Sequence, residues 1–360
     1  MHPLAALAFL LHALGMATAV HAVLKTRTSQ GAIAWAFGLV TLPYVSLPLY
    51  WVFGRDRFMG YVNARREEGE QIASLRKSLA AKTLDAASVP AGDPALYGVF
   101  DQLAHMPFVT GNRARLLVDG QATFDAIFAA IDAAKSYVLV QFFIVHDDLI
   151  GRELQKRLVA KALTGVRVYF LYDEIGSHSL PRRYLRELRE AGVQARPFLT
   201  SRDFRNRFQI NFRNHRKIVV VDGRSACVGG HNVGDEYLGR SRRFGHWRDT
   251  HVLVEGPAVI AVQLSFVDDW HWSTGDVPDL SWVPEISGTQ AALVLPSGPV
   301  DRLGTCTLFF VHAIQSAKQR VWITSPYFVP DSAIVFALQL AVLRGVDVRI
   351  MLPSVPDHWI

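Results

Sequence analysis

Two apolar stretches at the start of the chain constrain it more than any other feature. Residues 1–24 and 31–54 contain no Asp, Glu, Lys or Arg, and only Lys25-Thr-Arg27-Thr-Ser-Gln30 lies between them. At a rise of about 1.5 Å per helical residue, each can cross a hydrocarbon layer of roughly 30 Å. They are read as two transmembrane helices, about 4–24 and 32–53, forming a hairpin over residues 1–54. The competing reading of the first is a cleavable signal peptide, with Ala17-Thr18-Ala19 as a small-residue site. No basic segment precedes it, however, and a second apolar span follows at once. Pro43 and Pro48 are tolerable in a membrane helix, and Tyr44, Tyr50 and Trp51 suit an interfacial belt. Arg55, Arg57, Arg65 and Arg66 follow the second span, against Lys25 and Arg27 in the loop, which places the rest of the chain in the cytoplasm.

Residues 55–94 read as a solvated, charged juxtamembrane helix over Tyr61–Ala87 and a turn-rich linker, Ser88-Val-Pro-Ala-Gly-Asp-Pro94. Beyond it helix and strand patterns alternate, and two junctions recur. Ile131-Asp-Ala-Ala-Lys-Ser-Tyr-Val-Leu-Val140 is matched by Ile314-Gln-Ser-Ala-Lys-Gln-Arg-Val-Trp-Ile323, 183 positions on. Leu163-Thr-Gly-Val-Arg-Val-Tyr169 is matched by Leu343-Arg-Gly-Val-Asp-Val-Arg349, 180 positions on. Two matches in order at nearly one offset point to a duplicated α/β lobe with a largely parallel sheet, the first over 95–285 and the start of the second over 286–360.

The chemistry gathers late in the first copy. Asn214-His-Arg-Lys-Ile-Val-Val-Val-Asp-Gly223 is a β-branched run closed by an Asp-Gly turn. Alternation on a strand puts His215 and Lys217 on one face, while Asp222 has the opposite parity and is better placed to orient than to touch substrate. Gly229 and Gly230 permit close backbone approach, and Asn232 adds an amide donor. A histidine, a fixed cation and neutral donors suit a phosphate-handling site.

The spacing His215-x-Lys217, Asp222, Gly229-Gly230-x-Asn232 resembles the signature of the phospholipase D superfamily at every one of these positions. Together with the two apolar spans, Gly111-Asn112, Phe142-Phe-Ile-Val-His-Asp-Asp148, Gly245-His-Trp-Arg-Asp-Thr-His251, Leu295-Pro-Ser-Gly-Pro299 and Thr324-Ser-Pro-Tyr-Phe-Val-Pro-Asp331, the whole chain is similar to the membrane-anchored bacterial cardiolipin synthases of that superfamily. The resemblance implies His215, Lys217 and Asp222 as catalytic residues and Gly229, Gly230 and Asn232 as substrate-binding. It implies phosphatidylglycerol and other anionic phospholipids of the bacterial inner membrane as partners, no nucleic acid, and room for a homo-oligomer. The implied reaction joins two phosphatidylglycerol molecules into cardiolipin through a phosphohistidine, releasing glycerol, with no cofactor.

The superfamily carries two such motifs, one per lobe, around one site. The repeat offset would put the second histidine near position 395, whereas the sequence ends at Ile360. The expectation is therefore an incomplete second lobe and a partial or inactive enzyme. A phospholipase D-type phosphodiesterase or nuclease and an inactive remnant are the alternatives.

Other candidates are weaker. His246 and His251 could suggest a metal, but no HExxH and no cysteine cluster accompanies them, so none is expected. Cys227 and Cys306 are too few for a disulfide framework. Asp147-Asp148 and Asp173-Glu174 follow strands, where solvated loops or helix N-termini are the ordinary use. Residues 202–217 carry five Arg and one Lys against one Asp, interleaved with Phe204, Phe208 and Phe212. That stretch reads equally as a headgroup-gathering, interface-dipping segment or as a core edge with wet arginines.

Overall fold

The fold is seen in a computed structural model that describes residues 3–26, 29–54, 69–86, 94–198, 214–298, 301 and 303–354. The chain divides into two compact units, one holding the N-terminal helices and the other nearly everything from Glu70 onward. The arginine and phenylalanine positions 202–213 lie outside the described residues, as do 55–68 and the linker at 87–93.

In the first unit, α1 (Pro3–Lys25) is the helix long and apolar enough to cross a membrane. The second span is not one helix as expected. It is split into α2 (Ser29–Thr41) and α3 (Pro43–Phe53) around Leu42. The cause is Pro43, which has no N–H to give to the carbonyl four residues back, Leu39. That carbonyl lies against Gly15 of α1, where a Cβ would stand 2.3 Å from it. A small residue on α1 thus makes room for the break. Ala19, Ala22, Leu39, Leu47 and Tyr50 are buried between the helices.

In the second unit, α4 (Gly69–Ala86) is helical as read, but it is not simply solvated. Ile72, Leu79 and Thr83 are buried along one face and Arg76 reaches Asp268. Next come α5 (Pro94–Ala104), β1 (Val109–Val118), α6 (Asp119–Ala133), β2 (Tyr137–Phe142), α7 (Leu149–Leu163), β3 (Arg167–Asp173), α8 (Arg182–Glu190) and β4 (Gln194–Phe198). The lobe is completed by β5 (Ile218–Val221), β6 (Ser225–Gly229), β7 (Thr250–Glu255), α9 (Val259–Thr274) and β8 (Gln290–Ala292).

These strands form one sheet in the order β4-β3-β2-β5-β6-β7-β1-β8. Only β2, β3 and β4 are parallel. From β5 onward every pairing is antiparallel, which corrects the expectation of a largely parallel sheet. The physical reason is the turn at Asp222-Gly223-Arg224: it folds β6 straight back on β5, and a three-residue connection cannot make a parallel crossover. Both faces are covered. Val138, Val140 and Phe142 join Phe124, Ile127, Leu154 and Leu188 on one side, while Tyr169 packs against Trp270 of the nearly all-buried α9 on the other. Strands buried on both faces read as continuous apolar runs, as β2 and β5 do.

The duplication is visible in the caps. After β8 come α10 (Thr305–Ser316), β9 (Arg320–Thr324), α11 (Ser332–Leu343) and β10 (Asp347–Met351). Strands β9 and β10 pair in parallel, as β2 and β3 do. Asp148 caps α7 through the N–H of Gly151, and Asp331 caps α11 through that of Ile334. Each of those helices ends at a glycine of positive φ, Gly165 or Gly345, followed by a valine N–H bonded back to Lys161 or Ala341. The second copy packs on α5 through Phe309 and His312 against Phe100.

Candidate active site

The site forms where β2 and β3 end and β5 begins. Residues 214–217 enter β5 as extended chain, and each is tied to a different neighbour. Asn214 gives its backbone N–H to Asp173 at the end of β3 (3.2 Å) and its side-chain amide to Asp269 of α9 (2.7 Å). Arg216 bonds the same Asp269 oxygen at 2.5 Å, and Gln141 of β2 adds a donor at 2.8 Å. Asp269 is 2% exposed, so this buried carboxylate needs its donors and in return fixes both neighbours of His215.

His215 itself is exposed. Its imidazole stacks on Phe143, with ring centroids 4.0 Å apart and planes 29° from parallel. Lys217 is buried; its ammonium donates to the His215 carbonyl at 2.7 Å, stands 3.4 Å from His215 Nδ1 and lies 5.5 Å from the Phe143 centroid. Burial lowers this lysine to about 8, and the carboxylates of Asp249 and Asp173 work in the opposite sense. The histidine and cation expected on one face are therefore together.

Asp222 is placed differently. It lies at the far end of β5, in the left-handed region with φ of 53°, and accepts the backbone N–H groups of Lys135, Ser136 and Tyr137, each at 2.8 Å. Grouped with the catalytic residues by motif, it instead staples the hairpin turn to the start of β2 and does not face His215. Its opposite parity on the strand already pointed this way.

Gly229 and Gly230 make room for neighbours, not for open space. A Cβ on Gly229 would sit 2.4 Å from the His251 ring, and one on Gly230 would sit 2.1 Å from the Asp249 carboxylate. Asn232 is buried; its oxygen accepts the N–H of Ile144 at 3.0 Å and its amide donates to the Tyr237 hydroxyl at 2.9 Å. The oxygen thus holds the loop that carries Phe143 and the amide is anchored on Tyr237, a use that differs from the donor role expected toward substrate.

Beneath this loop lies a pair of buried histidines. His231 Nδ1 and His251 Nδ1 are 3.1 Å apart, and the His231 backbone N–H points at His251 Nδ1 at 3.3 Å. That nitrogen is thus the acceptor, which leaves the proton of His251 on Nε2. Burial lowers His251 to about 3, and it lowers His231 as well. Among the described residues no group of three His, Cys, Asp or Glu is arranged for a metal, and His246 pairs with Asp119 at the surface.

Sequence reasoning gave no role to Phe143, Asp249 or Asp269. Phe143 and Asp249 lie in segments that carry the resemblance, whereas Asp269, whose partners are 53 to 128 residues away, left no signal.

Comparisons with known proteins bear on the chain as a whole. The family model described as cardiolipin synthase, PLD-like domain, matches residues 127–261 and 310–360, and one described as phospholipase D-nuclease N-terminal matches residues 13–55. Cardiolipin synthase A of Pseudomonas putida (strain GB-1) is 50% identical over 356 residues, covering 98% of this chain and 74% of its own length. That of Pseudomonas aeruginosa (strain LESB58) is 52% identical over 355 residues, covering 96% and 71%. The fold is similar to that of phosphatidylserine synthase from Haemophilus influenzae Rd KW20, with a TM-score of 0.51 at 15% identity, over 71% of this chain and 65% of that one.

Proposed function

The chain belongs to the cardiolipin synthase family of phospholipase D-like phosphatidyltransferases, and from that premise we propose that it joins two phosphatidylglycerol molecules into cardiolipin through a phosphohistidine intermediate. The protein is membrane-associated and its substrates are phospholipids. Both apolar spans cross the bilayer and the site faces the cytoplasm, an orientation that the arginines after the second span favour.

In the first step the ring nitrogen of one histidine attacks the phosphodiester phosphorus. The bond to the glycerol oxygen breaks, and a second histidine protonates the departing alkoxide. In the second step a hydroxyl of another phosphatidylglycerol gives its proton to that second histidine and attacks the phosphorus, restoring the first. His215 is one of this pair; the described residues supply that one. Lys217 balances charge on the phosphoryl oxygens as it grows, and its position is fixed before substrate arrives.

The observation that carries this reading is the exposed imidazole of His215, braced by Phe143 and flanked by a buried ammonium. The test is incubation with phosphatidylglycerol labelled at phosphorus, followed by an alkaline detergent quench on ice and analysis of the protein. An acid-labile, base-stable label that disappears in His215→Ala is expected. Full label together with undiminished cardiolipin formation in that variant overturns the assignment.

A further inference from the structure

A loop remote in sequence from the His-x-Lys motif is built into the same structure. Gly239-Arg-Ser-Arg-Arg-Phe-Gly-His-Trp-Arg248 carries four arginines and a histidine with no carboxylate. Its outgoing leg is fixed where Gly239 and Arg240 donate backbone N–H groups to Glu236 and Asp235, and where the Arg240 guanidinium reaches Asp235 at 3.1 Å. Its return leg is fixed by Asp119, which bonds His246 at 3.1 Å and the Asp249 N–H at 3.2 Å. Between them the chain closes on itself through the Gly245 N–H and the Ser241 carbonyl, 2.9 Å apart.

Three side chains are left at the tip: Arg242, Arg243 and Phe244. All are exposed, and the Arg243 guanidinium lies 5.0 Å from the Phe244 ring centroid. Among the described residues neither arginine meets a carboxylate, while Arg240 and Arg248 at the base do. An aromatic ring flanked by guanidinium groups has the chemistry of a headgroup-level contact, with the ring at the acyl boundary and the cations on lipid phosphates.

The tip is also continuous with the site. His215 stacks on Phe143, whose neighbour Ile144 is held by Asn232. Asn232 bonds Tyr237; Tyr237 meets Trp247 edge-on at 5.0 Å, and Trp247 meets Phe244 at 5.6 Å.

We infer that the Arg242-Arg243-Phe244 tip docks on an anionic phospholipid surface and thereby sets the height of the His215 site at the membrane interface. This rests on the phospholipid reading of that site. Single-stranded nucleic acid could use the same side chains, but a membrane-associated protein meets the lipid surface continuously, and the contact path leads to a site for lipid.

The test places a polarity-sensitive fluorophore on Phe244→Cys in a Cys306→Ser background, where the remaining Cys227 is buried. The full chain is held in nanodiscs of zwitterionic phosphatidylcholine alone or mixed with phosphatidylglycerol. In mixed discs the emission should shift to the blue and be quenched by nitroxide-bearing lipid. Phosphatidylserine should substitute for phosphatidylglycerol, because surface charge and not substrate identity is read. Adding Arg242→Glu and Arg243→Glu should return the emission to its aqueous value. Equal emission in neutral and anionic discs, or an equal shift on adding single-stranded DNA to neutral discs, overturns the inference. No turnover enters this readout. Docking without cardiolipin formation would defeat only the proposed reaction, and cardiolipin formation with an aqueous probe would defeat only the docking.

Discussion

The ammonium of Lys217 donates to the carbonyl oxygen of His215 at 2.7 Å, so the cation of the site is held by the backbone of the residue whose ring it flanks. Neither can move without the other, and the position of the charge is fixed before any phosphate binds. Such preorganisation is what a phosphoryl transfer can use.

Holding that ammonium in a buried place costs stability. Burial lowers Lys217 from 10.5 to about 8. Below pH 8 the lysine is charged whether folded or unfolded, and the folded chain bears a net cost of about 3 kcal/mol for that charge. Between pH 8 and 10.5 the unfolded chain binds more protons, so this lysine's contribution makes stability rise with pH while the charge needed at the phosphate disappears. Transfer should fall above pH 8 as this contribution to Tm rises. Lys217→Met should raise Tm at pH 7 and lower kcat/KM by at least ~100-fold. A variant both less stable and fully active would contradict both assignments.

Asp222 should behave in the opposite way. Its carboxylate takes three backbone N–H bonds at the distal end of β5, and Asn can adopt its left-handed backbone but offers one acceptor oxygen instead of two. Asp222→Asn should cost about 1–3 kcal/mol in denaturant unfolding, because an N–H is left facing an NH2 group. The kcat of the folded fraction should stay within about threefold of the parent; a loss as deep as that of His215→Ala would place Asp222 in the chemistry.

The difference between these residues shows what was legible in the sequence. Strand parity already separated Asp222 from His215 and Lys217, because alternation is local. The repeat was legible because helix caps and glycine stops are local too, as Asp148 and Gly165 against Asp331 and Gly345 show. The brace under His215 was not: Phe143 reaches it from the loop after β2, Asp269 of α9 holds its two neighbours, and only the tertiary fold brings them there. The resemblance made Asn232 and the glycines before it substrate-binding, yet those glycines accommodate His251 and Asp249. The split at Leu42 was half legible. Pro43 announced a lost hydrogen bond, but Gly15, which leaves room for the freed carbonyl, is 28 residues away.

Gly230 offers a way to move charge without substituting a titrating group. An alanine there would place its Cβ 2.1 Å from the Asp249 carboxylate, which must swing away. Asp249 is the first of the carboxylates that hold the Lys217 charge up, so its displacement should lower the lysine further. Gly230→Ala should therefore shift the alkaline limb of the pH–rate profile toward lower pH. A limb that stays fixed while activity falls uniformly would mean that Asp249 does not act through Lys217.

His251 provides a test in which the two nitrogens of one ring are separated. Its Nδ1 accepts from the His231 N–H, and a second Nδ1 lies 3.1 Å away, while its Nε2 is buried without a partner among the described residues. Asn places an oxygen near the position of Nδ1, whereas Gln places its amide nitrogen near that of Nε2. If the pair is there to hold the Gly230–Asn232 loop, His251→Asn should unfold within about 1 kcal/mol of the parent, and His251→Gln should lose about 1–3 kcal/mol. Acid adds a second axis. Burial lowers His251 from 6.5 to about 3, so the unfolded chain binds the extra proton first as pH falls. The stability that the neutral ring contributes is complete above pH 6.5 and is lost progressively toward pH 3. His251→Asn should flatten that slope, as followed by urea unfolding at pH 7, 5 and 4. An equally steep acid loss in the Asn variant would assign it to other groups.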